Sequence, residues 1–270
     1  MLLCPVCHEP LVDDERGAAC AGGHRFDRAR EGYLYLLRSS KSGDSMGDPK
    51  SQARSRRDFL NRGYYAPLRD AMVELVRERA AGCAASTNGP MTLLDICCGE
   101  GYYTSAMGAV PGVDAYGFDL GKEMVRLAAK RGDATYFVAN MKDVPVADGA
   151  FDMVTELFAP FNERELPACW HPRARSTPWC RVPVISLVSR RCSTTRRTLT
   201  MRSCRRPRAR VGRNAAGVCE YYAPDPGRYR GGVPDDAVLL PHAPADKERL
   251  ANLETLQTDI DFIIAEYRHS

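Results

Sequence analysis

The stretch "LLDICCGEGYYTSAM", residues 93–107, constrains the fold of this chain more than any other feature. An apolar run ends near Asp95, a glycine-bearing turn follows, and a helix-forming segment begins directly after it. The next repeat ends its strand at Asp119, and two more strands follow, one ending at Asn140 and one over 151–157. Alternating strands and helices predict a parallel, doubly wound α/β sheet that binds ligands at the carboxyl ends of its strands.

The turn after the first strand has the composition of a nucleotide-binding loop. Gly99 and Gly101 allow the backbone to approach a ligand closely, and Asp119, about twenty residues later, can accept hydrogen bonds from both hydroxyls of a ribose. Nicotinamide enzymes use the same device, so these residues alone leave the cofactor open. Asp95 before the turn and Glu100 within it favour a cationic ligand over a pyrophosphate.

The N-terminal segment carries two half-sites for a metal ion. Cys4-x2-Cys7 is followed, after twelve residues, by Cys20-x3-His24. Each half-site can fold as a tight knuckle, and together they supply four ligands for a tetrahedral structural Zn²⁺. A segment this small has little apolar surface, so the metal would stabilise it. The alternatives are His8 as the fourth ligand, or three reduced cysteines and a surface histidine.

The loop "DICCGEG" resembles the S-adenosylmethionine (SAM) loop "D-x-G-C-G-x-G" of class I methyltransferases, with Cys97 in place of the first glycine. The later stretch "VPVADGAFD", residues 144–152, is similar to a second signature of these enzymes. The resemblance implies a Rossmann-like sheet and SAM as the cofactor. A side chain at Cys97 would crowd that cofactor or the neighbouring helix.

Three stretches, "HRFDRAREGYLYLL", "GDPKSQARSRRDFLNRGYYAPLRD" and "DICCGEGYYT", resemble the bacterial 23S ribosomal RNA (guanine-N1)-methyltransferases. That family carries an N-terminal zinc module with the same Cys, Cys, Cys, His order, and some members confer resistance to tylosin-type macrolides. The resemblance covers residues 1–167 and resumes over 242–268. It implies SAM-dependent methyl transfer to N1 of a guanine in a 23S rRNA hairpin.

The resemblance assigns zinc binding to the four residues of the paired half-sites and cofactor contacts to Tyr65, Gly99 and Glu100. By the general fold, Asp119 would bind the ribose and Asn140 would lie near the adenine. Ordinary packing of Tyr65 and a helix N-cap at Asp119 are the structural alternatives. No catalytic base is identified. The residues predicted to bind SAM are Tyr65, Asp95, Gly99, Glu100, Gly101, Asp119 and Asn140.

The predicted organisation is a zinc-binding module over 1–37, a linker and helical segment over 38–90, and a methyltransferase domain over 91–270. The chain shows no secretory signal and no apolar run of membrane-spanning length, so a cytoplasmic location is expected, with no membrane partner. In that compartment the cysteines act as metal ligands or free thiols. The expected partner is 23S rRNA, and a homodimer is left open.

The segment over 168–235 departs from the pattern of the fold. Residues 168–232 contain fifteen arginines, no lysine and two acidic residues. Reverse translation of "PACWHP" one nucleotide back permits "RVLAP", which the methyltransferase pattern requires at that point. We therefore predict an out-of-frame, irregular segment without a proper fifth strand, which resequencing of the gene tests. The alternatives are a basic RNA-binding insertion and a disordered loop.

Two other functions stay open on the sequence alone. A small-molecule methyltransferase would use the same cofactor loop, although the zinc module argues against it. A non-catalytic zinc- and RNA-binding remnant is favoured by Cys97 and by the arginine-rich segment.

Overall fold

The computed structural model describes residues 1–38, 50–84 and 89–158, together with the backbone of six strands between residues 184 and 267. None of the helices described there combines the length and the apolar character needed to cross a lipid bilayer.

The N-terminal module is a small antiparallel sheet of strands β1 (Leu11–Asp14), β2 (Gly17–Cys20) and β3 (Arg25–Asp27). The turn between β1 and β2 is closed by the Asp14 carboxylate, whose Oδ1 accepts the backbone N–H groups of residues 16 and 17 at 2.8 and 3.0 Å. Arg25 also donates to the Asp14 carboxylate. Polar contacts therefore tie the three strands together where the module has little apolar surface.

A large sheet forms the centre of the molecule and has eight strands. Its strands are β4 (Leu34–Tyr35), β5 (Met91–Ile96), β6 (Val113–Asp119), β7 (Thr135–Val138), β8 (Met153–Glu156), β9 (Val184–Leu187), β11 (Val218–Tyr222) and β14 (Ile263–Tyr267).

The spatial order of these strands is β11-β14-β9-β8-β5-β6-β7-β4. All neighbours from β9 to β4 are parallel, while β14 runs antiparallel to both β9 and β11. The chain direction across the sheet reverses between β5 and β8, and a parallel sheet opens a crevice at such a point. The predicted doubly wound α/β sheet is confirmed.

Four helices are described: α1 (Lys50–Asn61), α2 (Ala66–Ala84), α3 (Tyr102–Gly108) and α4 (Lys122–Ala129). Helices α2 and α3 pack on one face of the sheet in a cluster that includes Met72, Leu93, Met107 and Met153. Helix α1 packs on α4, where Arg57 Nη1 donates to the Leu127 carbonyl at 3.0 Å. These contacts hold the second half of α1 and the start of α3 beside the carboxyl ends of β5 and β6.

The N-terminal module docks on the opposite face of the sheet. Leu2 is buried with Phe118, Phe137 and Phe151 of the sheet. Leu2 also pairs with Val146 as an antiparallel bridge, flanked by backbone hydrogen bonds of 2.8 and 2.9 Å. The strand β4, which follows the module, adds to the edge of the sheet beside β7. The module is thus a packed layer of the fold.

The arginine-rich segment corrects one prediction. Strand β9 lies parallel to β8 in the fifth position, with Val154 paired to Val184 and Glu156 to Ser186. Strands β10 (Leu199–Thr200), β11 and β12 (Arg228–Gly231) also fall within 168–235, and β10 and β12 flank β13 (Leu256–Asp259) in a small second sheet.

The expectation of an irregular segment without a fifth strand is therefore wrong for the residues of these strands. The run "VISL" is rich in β-branched residues, which favour strands, and pairing covers the edge of β8 that would otherwise stay open. The junction near residue 168, on which the out-of-frame hypothesis depends, lies outside the described residues.

Candidate cofactor cavity and metal site

Four side chains of the N-terminal module converge on one point. The ligand atoms of Cys4, Cys7, Cys20 and His24 all lie within 4.8 Å of one another. Cys7 Sγ lies 3.6 Å from Cys20 Sγ, and Cys20 Sγ lies 3.4 Å from His24 Nδ1. Tetrahedral zinc with Zn–S bonds of about 2.3 Å would separate two sulfurs by about 3.8 Å. The donor set and its spacing therefore fit a zinc ion.

Local backbone geometry forms the two knuckles. The first is a turn in which the N–H of His8 donates to the Cys4 carbonyl at 2.8 Å. The second is closed by hydrogen bonds from the Cys20 N–H to the His24 carbonyl and from the Gly23 N–H to the Cys20 carbonyl, both 3.0 Å. His8, the alternative fourth ligand, is not part of the cluster that the described residues form.

A cavity of about 290 Å³ opens at the carboxyl ends of β5, β6 and β8. It lies at the point where the strand order reverses, and four aromatic rings and the turn after β5 form most of its wall. The lining residues are Arg56, Leu60, Tyr65, Asp95, Cys97, Cys98, Gly99, Glu100, Tyr102, Tyr103, Asp119, Leu157 and Phe158.

The turn after β5 is fixed by the carboxylate of Asp119. Its Oδ2 accepts the Gly99 N–H at 3.0 Å, and its Oδ1 accepts the Gly121 N–H at 2.8 Å. Gly121, rather than Asp119, is the N-cap residue of α4. Asp119 therefore links the glycine turn to the start of α4, which holds both at the cavity.

Gly101 is required by packing. Its φ angle is 80°, and a Cβ atom there would lie 2.8 Å from the Ala128 Cβ and 2.9 Å from the Ala128 Cα. Glycine at this position therefore lets the start of α3 pack closely against helix α4. Gly101 does not line the cavity. Gly99, whose φ angle is 56°, does line it.

Asp95 is buried beneath the cavity and holds two hydroxyl groups. The Thr104 Oγ1 donates to one carboxylate oxygen, and the Thr155 Oγ1 donates to the other at 2.7 Å. Burial raises the pKa of Asp95 to about 6, although the two hydrogen bonds act to lower it. The carboxylate therefore ties β5 to α3 and β8, in addition to contributing to the cavity wall.

Glu100 is paired with a residue that the sequence patterns did not reveal. Arg131 Nε donates to Glu100 Oε2 at 2.7 Å, and Nη2 donates to Oε1 at 2.9 Å. Glu100 is buried, and the Arg131 side chain is largely so. The guanidinium also lies 5.4 Å from the centroid of the Tyr102 ring, as does that of Arg69. The Glu100 charge, which the sequence suggested would attract a cationic ligand, is compensated by Arg131.

Three tyrosines build the aromatic wall of the cavity. Burial raises the pKa of Tyr65 to about 12, and it also raises that of Tyr103. Within the described structure, the hydroxyls of Tyr102 and Tyr103 are buried and lack a hydrogen-bond partner. Buried polar groups in native proteins are nearly always satisfied, so these two hydroxyls fit a cavity that receives a polar ligand.

Cys97 and Asn140 complete the predicted positions. Cys97 has a φ angle of 55°, a left-handed conformation that glycine tolerates and a side chain does not favour. Its Sγ lies 3.9 Å from Met141 Sδ, and burial raises its pKa to about 12. Asn140 closes a local turn through a 3.0 Å hydrogen bond from the Lys142 N–H, and it does not line this cavity.

The sheet order, the glycine turn and the cavity at the carboxyl ends of the strands define a class I methyltransferase fold. Comparison of the chain with protein families agrees. Residues 93–175 match the family described as a methyltransferase domain. Residues 2–41 match the zinc-ribbon family described as "RlmA, N-terminal".

Curated relatives are named as 23S rRNA (guanine-N1)-methyltransferases. The 23S rRNA (guanine(748)-N(1))-methyltransferase of Streptomyces fradiae is 35% identical over 175 residues, which is 63% of this chain and 60% of that protein. A putative 23S rRNA (guanine-N(1)-)-methyltransferase of Bacillus subtilis is 33% identical over 61% of this chain and 58% of its own length. The chain thus matches about three fifths of these relatives, and the resemblance predicted from the sequence is confirmed.

Solved structures overlap this chain in part and at low identity. A putative SAM-dependent methyltransferase from Methanococcus maripaludis is 15% identical, with a TM-score of 0.41 over 56% of this chain and 67% of that one. A SAM-dependent methyltransferase from Aquifex aeolicus is 16% identical, with a TM-score of 0.40 over 55% and 79%.

Proposed function

We propose that this chain transfers a methyl group from SAM to N1 of a guanine in a 23S rRNA hairpin. The observation that carries the proposal is the joining of two features in one packed unit, a Cys3His cluster and a cavity built on the Gly99–Asp119 hydrogen bond. The names of the relatives support the substrate class. An enzyme that acts on ribosomal RNA works in the cytoplasm.

The cofactor would supply an electrophilic methyl group on a sulfonium centre. Gly99 would allow the backbone to approach the cofactor closely. Asp119, whose carboxylate fixes the glycine turn at the cavity, would accept hydrogen bonds from the ribose hydroxyls. The hydroxyls of Tyr102 and Tyr103 would bind its polar amino-acid portion. Tyr65 would exclude water by packing, and rigid placement of this kind lowers the barrier to in-line transfer.

We also propose that zinc, held by Cys4, Cys7, Cys20 and His24, has a structural role. The cluster has four protein ligands, which leaves no open position for substrate. Because the module packs on the sheet through Leu2, the metal would fix a surface next to the cavity for contacts with the RNA backbone.

One observation favours a second candidate, a non-catalytic zinc- and RNA-binding remnant. The side chain of Cys97 lines the cavity. It occupies the position of the first glycine in the SAM loop that class I methyltransferases share. Isothermal titration with SAM and with its demethylated product separates the two candidates, because only the enzyme requires cofactor binding.

The test of the main proposal is transfer of a radiolabelled methyl group from SAM to unmodified 23S rRNA, with the position mapped by primer extension. An Asp119→Asn variant is the matched control, since it keeps the shape of the side chain and loses its charge. Transfer to one guanine that is reduced in the variant supports the proposal, and cofactor binding without transfer to RNA contradicts it. Sedimentation of the same samples tells a monomer from a homodimer.

A further inference from the structure

We infer that Phe158 is the platform on which the target base of the RNA stacks, an inference that rests on the proposed function. Phe158 lines the cavity and lies two residues after the end of β8. Three features of this residue carry the inference: its backbone conformation, the exposure of its side chain to solvent, and the contacts of its ring with two buried tyrosines.

The backbone of Phe158 is in an unfavourable conformation. Its φ angle is 61°, in the left-handed region where a bulky side chain is a genuine outlier. Such conformations cluster at ligand-binding sites, where the surrounding structure enforces them. Here the conformation directs an aromatic ring to the mouth of the cavity.

The ring of Phe158 is also exposed. Its relative exposure is 45%, whereas Tyr65 and Tyr103, which line the same cavity, are 6% and 8% exposed. Nearly half of this residue therefore stays open to solvent, although its backbone is strained. A ring at the mouth of a cavity is well placed to meet a ligand that enters from solvent, after the cofactor has filled the interior.

The buried tyrosines support the ring from the inner side. The Phe158 centroid lies 5.9 Å from that of Tyr65, with the planes inclined by 67°, and 6.2 Å from that of Tyr103. Two rings that meet it at an angle hold its plane in a fixed orientation. A fixed, partly exposed aromatic plane binds a flat base by stacking, and proteins recognise unpaired RNA bases in this way.

The occupant that fits this position is the purine base of the substrate, displaced from its own stack so that N1 can reach the methyl group. Arg56 lines the same cavity and brings a positive charge that suits the phosphate beside such a base. Phe158 would orient the guanine without taking part in the proton transfer.

Three substitutions separate stacking from strain and from packing. Phe158→Leu keeps apolar bulk and removes the π face, Phe158→Trp keeps the π face, and Phe158→Gly relieves the left-handed backbone and removes the ring. We expect Leu and Gly to lower kcat/KM for unmodified 23S rRNA by roughly 5- to 150-fold, the range typical of one base–aromatic stack. Trp should stay within a few-fold of the parent, and the Kd for SAM should change by less than about twofold in all three.

Ultraviolet cross-linking of the parent chain to the same RNA, read by mass spectrometry, gives a test that does not depend on methyl transfer. A cross-link between Phe158 and a guanine supports the inference even if no methyl group is transferred, which would count against the proposed function alone. Parent-like kcat/KM in Phe158→Leu together with no cross-link at this residue overturns the inference. A loss of SAM affinity equal to the loss of kcat/KM also overturns it, because the ring would then contact the cofactor.

Discussion

Glu156, the last residue of β8, gives a prediction whose size follows from the structure. Its side chain is 1% exposed, and in the described part of the chain neither carboxylate oxygen has a hydrogen-bond partner. Burial raises its pKa from the ordinary value of 4.5 to about 7. In the pairing of the sheet it lies between Ile96 of β5 and Ser186 of β9. The folded chain therefore favours the protonated carboxyl group, and the unfolded chain favours the ionised one.

The direction of the pH dependence follows from this difference. Because the folded chain holds this proton more tightly, the contribution of Glu156 to stability is fully present below pH 4.5 and is lost as the pH rises through 7. At about 1.4 kcal/mol per pH unit, the two pKa values correspond to a loss of roughly 3 kcal/mol, an upper value because local relaxation reduces it. Glu156→Gln keeps the shape and cannot ionise, so it should remove this loss.

The assay is urea unfolding of the full zinc-loaded chain, followed by far-ultraviolet circular dichroism at pH 5 and pH 8. We expect Glu156→Gln to be about 2 kcal/mol more stable than the parent at pH 8 and nearly equal to it at pH 5. Glu15→Gln, the same change at an exposed position, is the control and should have no such effect. An equal change at both pH values, or a less stable variant at pH 8, refutes the reasoning, since it would mean that Glu156 is paired and ionised.

Three further predictions concern the cavity and the metal. Cys97→Gly should tighten SAM binding several-fold in calorimetry, because it removes a left-handed side chain from the cavity wall; an unchanged or weaker Kd contradicts this. Arg131→Gln should lower the free energy of unfolding by about 3 kcal/mol by leaving Glu100 buried without its partner, and adding Glu100→Gln should restore part of it; additive losses contradict the pairing. Cys20→Ser should lose one zinc per chain by elemental analysis and lower the thermal midpoint, whereas Cys83→Ser, at a buried cysteine outside the cluster, should retain the metal.

Features that depend on short-range sequence were predictable from it. The half-sites at Cys4 and Cys20 each lie within a few residues, so their spacing determines how their ligand atoms can converge. The turn at Gly99 and the acid at Asp119 follow strands that are neighbours in the sheet, so parallel pairing brings them together. Periodicity and spacing carry such information because they report on local geometry.

Features that depend on how distant elements pack were not predictable. The partner of Glu100 is Arg131, which follows α4, and no sequence pattern links two residues separated by two helices and a strand. Glu156 lacks a hydrogen-bond partner among the described residues, and Phe158 has a left-handed backbone; both features likewise depend on the surroundings of β8. The fifth strand at Val184–Leu187 was not predicted, because arginines flank this short β-branched run on both sides.

The role that we propose for the Gly99–Asp119 cavity is methyl transfer from SAM to guanine N1. Incubating the zinc-loaded chain with unmodified 23S rRNA and SAM carrying a deuterated methyl group, then digesting the RNA to nucleosides, identifies the modified atom by mass spectrometry. We expect labelled 1-methylguanosine, with the amount strongly reduced for Asp119→Asn. A label on any other base or on another guanine atom, or no label from a chain that binds SAM, would contradict it.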